Sequence, residues 1–215
     1  MSSISIPTTE AHSFGDLLDG SGPVLVCGGT PFKYSAKFDA VLVQIAKAHP
    51  HARFVLFEYT PNPYYSDALK TRLQQAFERE GVDASQYLKW ITWLPSEAFL
   101  SLLKQADAFL DGFGFSGFNT ALQALACDLP VVTYEGKFLR GRLGSGLLRY
   151  LDLNELVARS EADYLCIVDR LITDLAWREK LKQKMASALP RAFNDVAPIR
   201  AMEQHLLAAC QVNSK

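Results

Sequence analysis

The sequence predicts an α/β fold, in which an open parallel sheet carries helices on both faces. Short β-branched or aromatic runs alternate along the chain with longer amphipathic segments, and the order reads βαβαβαβαβα. The strand-like runs are nearly continuous in apolar residues, as in Val24–Cys27, which suits strands covered on both faces. The chain has 215 residues, of which 49 % are hydrophobic, and this is enough to bury one ordinary core.

The predicted strands are bounded by residues that interrupt a sheet. Gly28–Pro31 ends the first strand and Thr60–Pro63 ends the second, because proline has no N–H to donate to a neighbouring strand. Pro130 introduces the fifth strand. The predicted strands are Val24–Cys27, Phe54–Phe57, Leu88–Trp93, Ala108–Asp111 and Val131–Thr133, with Leu156–Val157 as a short sixth.

Apolar residues at helical spacing predict the helices between these strands. In the first helix Val41 and Ile45 share one face, and Pro50 ends the pattern. Ser96 is predicted to cap the third helix, and Ser160 opens a capping box that starts a later one. The predicted helices are Ala36–His49, Ser66–Glu80, a segment from Ser96 through Leu103, Asn119–Ala126, Ser160–Asp174, Trp177–Ser187 and Pro198–Ala209.

A single domain is predicted over residues 23–211, with a linker or strap at residues 1–22. The chain has 22 basic and 23 acidic side chains and a formal net charge of −1, which argues against a basic nucleic-acid-binding face. No apolar run approaches the roughly 20 residues that span a bilayer. The N-terminus lacks a secretory pattern, so a cytoplasmic location is expected. The 4 cysteines are scattered, which indicates neither a zinc site nor disulfides.

The most informative segment runs from Leu110 to Leu125, where a strand passes through a glycine-rich loop into a helix. The first N–H groups of a helix are unpaired and carry the positive end of its dipole. Residues 117–120 could therefore hold a phosphate or a diphosphate. The alternative, that the glycines only permit a tight turn, stays open on this observation alone.

A second candidate loop, Gly28–Lys33, follows the first predicted strand. It is neither a Walker loop nor a Gly-x-Gly-x-x-Gly motif, so nucleotide hydrolysis of that kind is disfavoured. Lys33 would lie at the carboxyl end of its strand, on the same rim as the Gly117 loop, where a cation could neutralise phosphate charge. Taken alone, Lys33 is more typical of a solvated surface lysine.

The two loops belong to a longer pattern. Residues 110–120 read LDGFGFSGFNT, residues 129–133 read LPVVT, residues 135–148 read EGKFLRGRLGSGLL and residues 153–158 read LNELVA. In this order, the segments resemble the C-terminal half of the catalytic region of the O-linked N-acetylglucosamine transferase and SPINDLY family. The resemblance extends from Val24 to about Leu207.

This resemblance implies a Rossmann-like, nucleotide-sugar-binding domain, the C-terminal domain of a GT-B glycosyltransferase. Such enzymes bind a UDP-sugar between two domains and need no metal or other cofactor. The expected function is transfer of a sugar from the UDP-sugar to a hydroxyl of a protein or other acceptor. The expected partners are UDP or a UDP-sugar and an N-terminal acceptor domain that this sequence does not show, with no nucleic acid and no membrane span.

The resemblance also implies roles for single residues. Lys33 matches a lysine that contacts the diphosphate, so its catalytic role would be to stabilise the departing UDP. Gln123 stands where an acidic residue accepts hydrogen bonds from both ribose hydroxyls, and a neutral amide loses that charge-assisted strength. Phe99 and Phe118 stand where many members carry histidine, and Thr30 stands where the family often has glutamine. The other implied substrate-binding residues are Leu94 and Ser96 in a uracil-recognising loop, Gly117, Asn119 and Thr120 around the phosphates, and Arg142.

Two other functions stay open on the sequence. A nucleotide-sugar epimerase would use the same loops and would need a carboxylate near the sugar, for which Glu135 is the candidate. A non-catalytic binding or interaction module would explain the changes at Gln123 and Phe99. An isolated domain would also expose one wall of its cleft, which allows a homo-oligomer. No histidine is placed near both loops, and the four are His12, His49, His51 and His205.

Overall fold

Six parallel strands form one sheet in the computed structural model, which describes residues 14–18, 22–193 and 195–212. The strands are β1 (Val24–Cys27), β2 (Arg53–Phe57), β3 (Leu88–Ile91), β4 (Ala108–Leu110), β5 (Val131–Tyr134) and β6 (Val157–Ala158). Their order across the sheet is β3-β2-β1-β4-β5-β6, and each neighbouring pair runs parallel. The predicted open parallel sheet is confirmed.

Helices cover the sheet. All residues of β1 and β2 are buried, which requires cover on both faces because successive side chains of a strand point to opposite sides. Large aromatic side chains fill the core, among them Phe38, Phe54 and Tyr164, which are fully buried. The helices are α1 (Ala36–Ala48), α2 (Pro63–Arg79), α3 (Ala84–Tyr87), α4 (Ser96–Gln105), α5 (Asn119–Ala126), α6 (Leu143–Tyr150), α7 (Glu161–Thr173), α8 (Leu175–Ala188) and α9 (Ala197–Val212).

Side-chain caps set where several of these helices begin, including α2 and α7. Asn62 accepts a hydrogen bond from the backbone N–H of Tyr64 at 3.2 Å, and Pro63 suits a first helical position, so α2 begins earlier than predicted. Ser160 accepts a hydrogen bond from the backbone N–H of Asp163 at 3.0 Å. The predicted start of α7 is therefore confirmed.

Several predicted boundaries are wrong by one or two residues. Ser96 is the first residue of α4 and not its cap, because extended Pro95 holds the cap position and no side chain caps this helix. Strand β3 ends before Trp93, and β4 ends before Asp111, so both residues lie in loops. Strand β6 begins after Leu156, which belongs to a short 3-10 turn.

The helix α6 has no counterpart in the sequence prediction. Gly144 and Gly146 make this segment a poor helix former, since glycine loses more backbone freedom than any other residue. Tight packing requires the first of them: a Cβ atom at Gly144 would lie 2.7 Å from both Asp111 Oδ2 and Ser116 Oγ. Close contact with a buried loop explains a helix that local propensity disfavours.

The predicted linker or strap at residues 1–22 lies largely outside the described residues, as does His12. Within the part that is described, Gly15–Leu17 forms a 3-10 turn. Among the helices of the described residues, none is long and apolar enough to cross a membrane.

Candidate functional site

The sheet reverses its strand order between β1 and β4, which lie side by side. In open α/β sheets ligands bind outside the carboxyl ends of the strands at such a reversal, because the flanking loops diverge there and leave a crevice. Two loops leave the sheet at this point. Residues 28–35 form the β1 loop, and residues 111–118 form the β4 loop.

An aromatic pocket of about 210 Å³ opens beside this reversal. The rings of Trp93 and Phe99 both meet Phe57 edge-on, with centroids 6.1 and 5.6 Å from it. Trp93 is 55 % exposed, so its ring stands at the mouth of the pocket. These aromatic walls suit a flat ring of a ligand, and the polar side chains of Ser96, Thr120 and Gln123 line the same pocket. The lining residues are Gly28, Phe57, Trp93, Leu94, Ser96, Phe99, Thr120 and Gln123.

A smaller cationic pocket of about 80 Å³ adjoins the aromatic pocket, since Gly28, Trp93 and Thr120 line both. Lys33 supplies its positive charge, with Nζ 4.7 Å from the centroid of the Phe115 ring. The two pockets together form one continuous crevice with an aromatic end and a cationic end. The further lining residues include Gly29, Thr30, Lys33, Tyr34, Asp111, Gly112, Phe115 and Gly117.

The β1 loop holds Lys33 through a short 3-10 turn. Pro31 begins the turn, and the backbone N–H of Lys33 donates to the carbonyl of Thr30 at 2.9 Å. The loop is anchored by Tyr34, whose hydroxyl accepts a hydrogen bond from the backbone N–H of Gly29 at 2.7 Å. Thr30 Oγ1 is buried and has no hydrogen-bond partner within the described chain. A ligand in the cationic pocket would offer this hydroxyl the partner it lacks.

A buried carboxylate, which the sequence analysis did not single out, shapes the β4 loop. Asp111 is only 2 % exposed and accepts hydrogen bonds from the Gly117 N–H at 2.8 Å, from Ser116 Oγ at 2.5 Å and from Thr133 Oγ1 at 2.6 Å. Ser116 Oγ in turn accepts the N–H of Gly144 at 2.7 Å, which ties α6 to the same network. The loop is therefore fixed to β5 and to α6.

The electrostatics of Asp111 follow from this enclosure. Burial raises the pKa of its carboxyl, while the hydrogen bonds from Ser116, Thr133 and Gly117 act in the opposite direction. One sequence signal could have identified the residue, because it is a carboxylate that directly follows a fully buried strand. Its partners could not be identified, since Thr133 is 22 positions away in the chain.

The N–H groups that the sequence analysis names as candidates for anion binding lie at the start of α5, where no side chain caps the helix. The N–H of Gly117 is engaged by Asp111, so it does not point to a ligand in this conformation. The next three N–H groups belong to Phe118, Asn119 and Thr120, at the helix start where no side chain caps them. A Cβ atom at Gly117 would lie 2.5 Å from Thr120 Oγ1, so a larger residue there would require the Thr120 side chain to move. The hydroxyl of Thr120 thus lies directly against the β4 loop.

Three predicted substrate-binding residues, Phe118, Asn119 and Arg142, do not line the crevice. Phe118 and Asn119 are exposed at the start of α5, and their side chains line neither pocket. Arg142 also lines neither pocket, and its Nη2 donates to Glu135 Oε1 at 2.9 Å. Arg149 donates to both oxygens of Glu135, at 2.6 and 2.5 Å.

Glu135 and Arg142 line a separate open hollow of about 660 Å³, here named the basic hollow, together with Lys37 and Lys137. The hydrogen bond from Arg149 is the main cause that lowers the pKa of Glu135. The carboxylate is therefore ionised and engaged, and it does not stand beside Lys33. Within the described ranges, no group of three or more His, Cys, Asp or Glu side chains is placed to hold a metal ion.

The strand order defines a doubly wound α/β domain, and the crevice lies at the strand reversal, where ligands bind in folds of this class. The family model for glycosyl transferase family 41 matches residues 40–195, and the chain belongs to this family. The resemblance stated from the sequence is confirmed.

Proteins of similar sequence support the family assignment. A probable UDP-N-acetylglucosamine–peptide N-acetylglucosaminyltransferase SPINDLY from Solanum lycopersicum is 24 % identical over 160 residues, which cover 74 % of this chain and 17 % of the relative. The protein of the same description from Arabidopsis thaliana is 27 % identical over 157 residues, covering 71 % and 16 %. The chain thus spans about one sixth of the length of these relatives.

Solved structures show the same fold. A mutant O-GlcNAc transferase from Thermobaculum terrenum matches with a TM-score of 0.76 and 28 % identity, over 94 % of this chain and 40 % of that one. The trehalose-6-phosphate synthase OtsA matches with a TM-score of 0.58 and 13 % identity, over 81 % of this chain and 41 % of that one. At this identity the second likeness shows the fold alone.

Proposed function

We propose that this domain binds a UDP-sugar and forms the donor side of an O-GlcNAc-transferase-like enzyme, which transfers the sugar to a hydroxyl of a protein acceptor. The observation that carries the proposal is the continuous crevice at the strand reversal, with aromatic walls at one end and Lys33 at the other. Membership of glycosyl transferase family 41 supports it, as does the description of the relatives as probable UDP-N-acetylglucosamine–peptide N-acetylglucosaminyltransferases.

The aromatic pocket would hold the uridine. Phe99 would stack on the uracil ring, and stacking of a base on an aromatic side chain contributes about 1–3 kcal/mol. Leu94 and Ser96 line the same pocket and would meet the polar edge of the base. Gln123 would accept one hydrogen bond from the ribose and donate another, because an amide can do both.

The cationic pocket would hold the diphosphate. Lys33 would pair with a phosphate oxygen, the hydroxyls of Thr30 and Thr120 would donate to others, and the N–H groups at the start of α5 would complete the cradle. As the bond to the sugar breaks, negative charge grows on the departing UDP. Fixed positive groups aimed at that charge stabilise the transition state more than the ground state.

We further propose that this charge stabilisation takes the place of a metal ion, so that UDP binds equally well in a chelator. The group that accepts the proton of the attacking hydroxyl would come from an acceptor domain outside this chain, which spans 17 % of the length of the Solanum lycopersicum relative. A cytoplasmic location and a homo-oligomer both stay predictions from the sequence.

The epimerase alternative is less well supported, because its candidate carboxylate is engaged elsewhere. Glu135 is held by Arg149 and Arg142 and lines the basic hollow, not the crevice. A non-catalytic module would be the better description only if UDP does not bind.

Calorimetric titration of Lys33→Ala tests the proposed phosphate contact. Hydrogen bonds to charged groups contribute about 1.5–3 kcal/mol, so UDP affinity should fall roughly tenfold to a hundredfold, while uridine affinity changes little. Lys180→Ala, which removes an exposed lysine on α8, is the matched control. Equal losses for UDP and uridine would contradict the contact between Lys33 and the diphosphate.

A further inference from the structure

The basic hollow lies next to the donor crevice and is separated from it by the β4 loop. Gly112, Phe115 and Gly117 of this loop line the cationic pocket, whereas Phe113 and Gly114 line the hollow. The segment after β1 divides in the same way. Lys33 and Tyr34 line the cationic pocket, whereas Ser35 and Lys37 line the hollow. Both sites therefore open at the same carboxyl edge of the sheet.

Positive charge exceeds negative charge in the hollow. Lys37, Lys137 and Arg142 line it, and the one acidic residue that lines it is Glu135. Arg149 already engages both oxygens of that carboxylate. Since the chain as a whole carries a net charge of −1, this concentration of cations is local.

The cations are also available to a ligand. The Lys37 side chain is 75 % exposed and forms an ion pair with Glu161 at 3.5 Å, and the Glu161 side chain is itself 45 % exposed. Lys137 is exposed and has no ion pair or hydrogen bond with any described residue. Arg142 donates one N–H to Glu135, and its side chain is 52 % exposed. Exposed cations of this kind attract counter-ions from solution, and an anionic partner can displace those ions.

The hollow has a wall of stacked aromatic rings and a buried hydroxyl without a partner. Phe113 stacks on Tyr134 with centroids 4.6 Å apart and an angle of 25°. Ser35 stands at the cap position of α1, yet its hydroxyl makes no capping hydrogen bond and is buried without a partner. A buried hydroxyl without a partner is costly, and a ligand in the hollow would relieve that cost.

We propose that the basic hollow binds an acidic peptide segment, through carboxylates that pair with Lys37, Lys137 and Arg142. The hollow is wide, at about 660 Å³, and its cations come from separate segments of the chain, which suits several carboxylates along an extended peptide and not one compact anion. The peptide would be the part of the protein acceptor that flanks its reacting hydroxyl. The identification of this peptide as an acceptor rests on the proposed function, whereas its binding does not.

Fluorescence anisotropy of the full chain tests the hollow without any nucleotide. The probe is a fluorescein-labelled peptide with two glutamates on each side of a central serine, and the control peptide has glutamines in their place. The acidic peptide should bind saturably and less tightly as salt rises, because exposed charge pairs are screened. The hollow would be excluded as an acidic-peptide site if both peptides bound equally or if neither bound.

Charge reversal locates the binding on the chain. Lys137→Glu should weaken binding of the acidic peptide about threefold to tenfold, since an exposed pair contributes up to about 1 kcal/mol and reversal adds repulsion. Lys180→Glu, an equal charge change on α8, should bind as the parent does. Lys37→Ala provides a second variant, and thermal unfolding checks the fold of each. Parent-like binding by folded Lys137→Glu and Lys37→Ala would overturn the proposal.

A separate titration with UDP keeps the two proposals distinguishable. Peptide binding without UDP binding would support the hollow and overturn the donor role. UDP binding without peptide binding would support the donor role and overturn the hollow.

Discussion

Replacement of Asp111 should perturb the β4 loop, which this residue holds in place and which lines the cationic pocket. Its carboxylate accepts hydrogen bonds from one backbone N–H and two hydroxyls, at 2.5–2.8 Å, and the residue is 2 % exposed. Asp111→Ala leaves all three donors without their acceptor in a place that water does not reach. Asp111→Asn keeps one acceptor oxygen, which can serve the N–H of Gly117.

The loss in free energy of unfolding depends on whether each donor can form another hydrogen bond once the carboxylate is removed. A buried donor that loses its partner costs about 1–3 kcal/mol. The N–H of Gly117 is fixed, so it bears the full cost, whereas Ser116 Oγ already lies 3.3 Å from the carbonyl of Gly117 and can turn toward it. Asp111→Ala should therefore lower the free energy of unfolding by about 2–4 kcal/mol, and Asp111→Asn by about 1 kcal/mol. For a chain of this size the first change lowers Tm by roughly 4–16 °C.

The same residue predicts a pH dependence. In the unfolded chain the carboxyl ionises near its ordinary pKa of 3.8, and burial raises its pKa in the folded state. Between those values the folded protein binds a proton that the unfolded chain does not, so the stability contributed by this group is complete below pH 3.8 and is lost as pH rises through the raised pKa. Asparagine does not titrate. The parent should therefore gain stability relative to Asp111→Asn as pH falls from neutrality toward 3.8.

Urea unfolding followed by tryptophan fluorescence measures both effects. Asp67→Ala, at an exposed aspartate of α2, is the control and should change the free energy of unfolding by less than about 0.5 kcal/mol. The reasoning would be refuted if Asp111→Ala were as stable as this control. It would also be refuted if the parent lost stability relative to Asp111→Asn on acidification.

Three further substitutions test the α6 packing and the ribose contact. Gly146→Ala should raise the free energy of unfolding by about 0.4–1 kcal/mol, because apart from its chain neighbours and the helix's own backbone nothing lies within 4 Å of a Cβ at this site. Gly144→Ala should lower it, since its Cβ would lie 2.7 Å from Asp111 Oδ2, and thermal unfolding that ranks the pair the other way would contradict the packing. Gln123→Asp should tighten UDP binding about tenfold, because a carboxylate accepts stronger hydrogen bonds from the ribose hydroxyls. Calorimetry that finds unchanged or weaker affinity would remove position 123 from the ribose site.

The sequence predicts the sheet well because its strands carry their own signal. The residues of Val24–Cys27 are apolar without a break, and the structure buries all of them. The two candidate loops were also predicted correctly to share one edge, since the carboxyl ends of parallel strands meet there. Gly28 and Thr120 indeed line the same pocket, though they lie far apart in the chain.

The details that were missed depend on contacts between distant segments. The α6 helix forms against propensity because Gly144 packs on Asp111 and Ser116. The loss of the Gly117 N–H to Asp111 is likewise invisible in the sequence, since it depends on how the β4 loop folds back. Arg142 was assigned to the substrate by resemblance alone and that role stays a prediction, whereas its hydrogen bond to Glu135 was not predicted from the sequence.

Titration of the unmodified chain with UDP, with GDP and with uridine tests the central claim most directly. The account predicts saturable binding of UDP that is tighter than binding of GDP, because the aromatic pocket is small, at about 210 Å³, and tighter than binding of uridine, because Lys33 and the start of α5 hold the diphosphate. Absence of UDP binding at millimolar concentration, or equal binding of all three compounds, would contradict the assignment of this crevice as a UDP-sugar site.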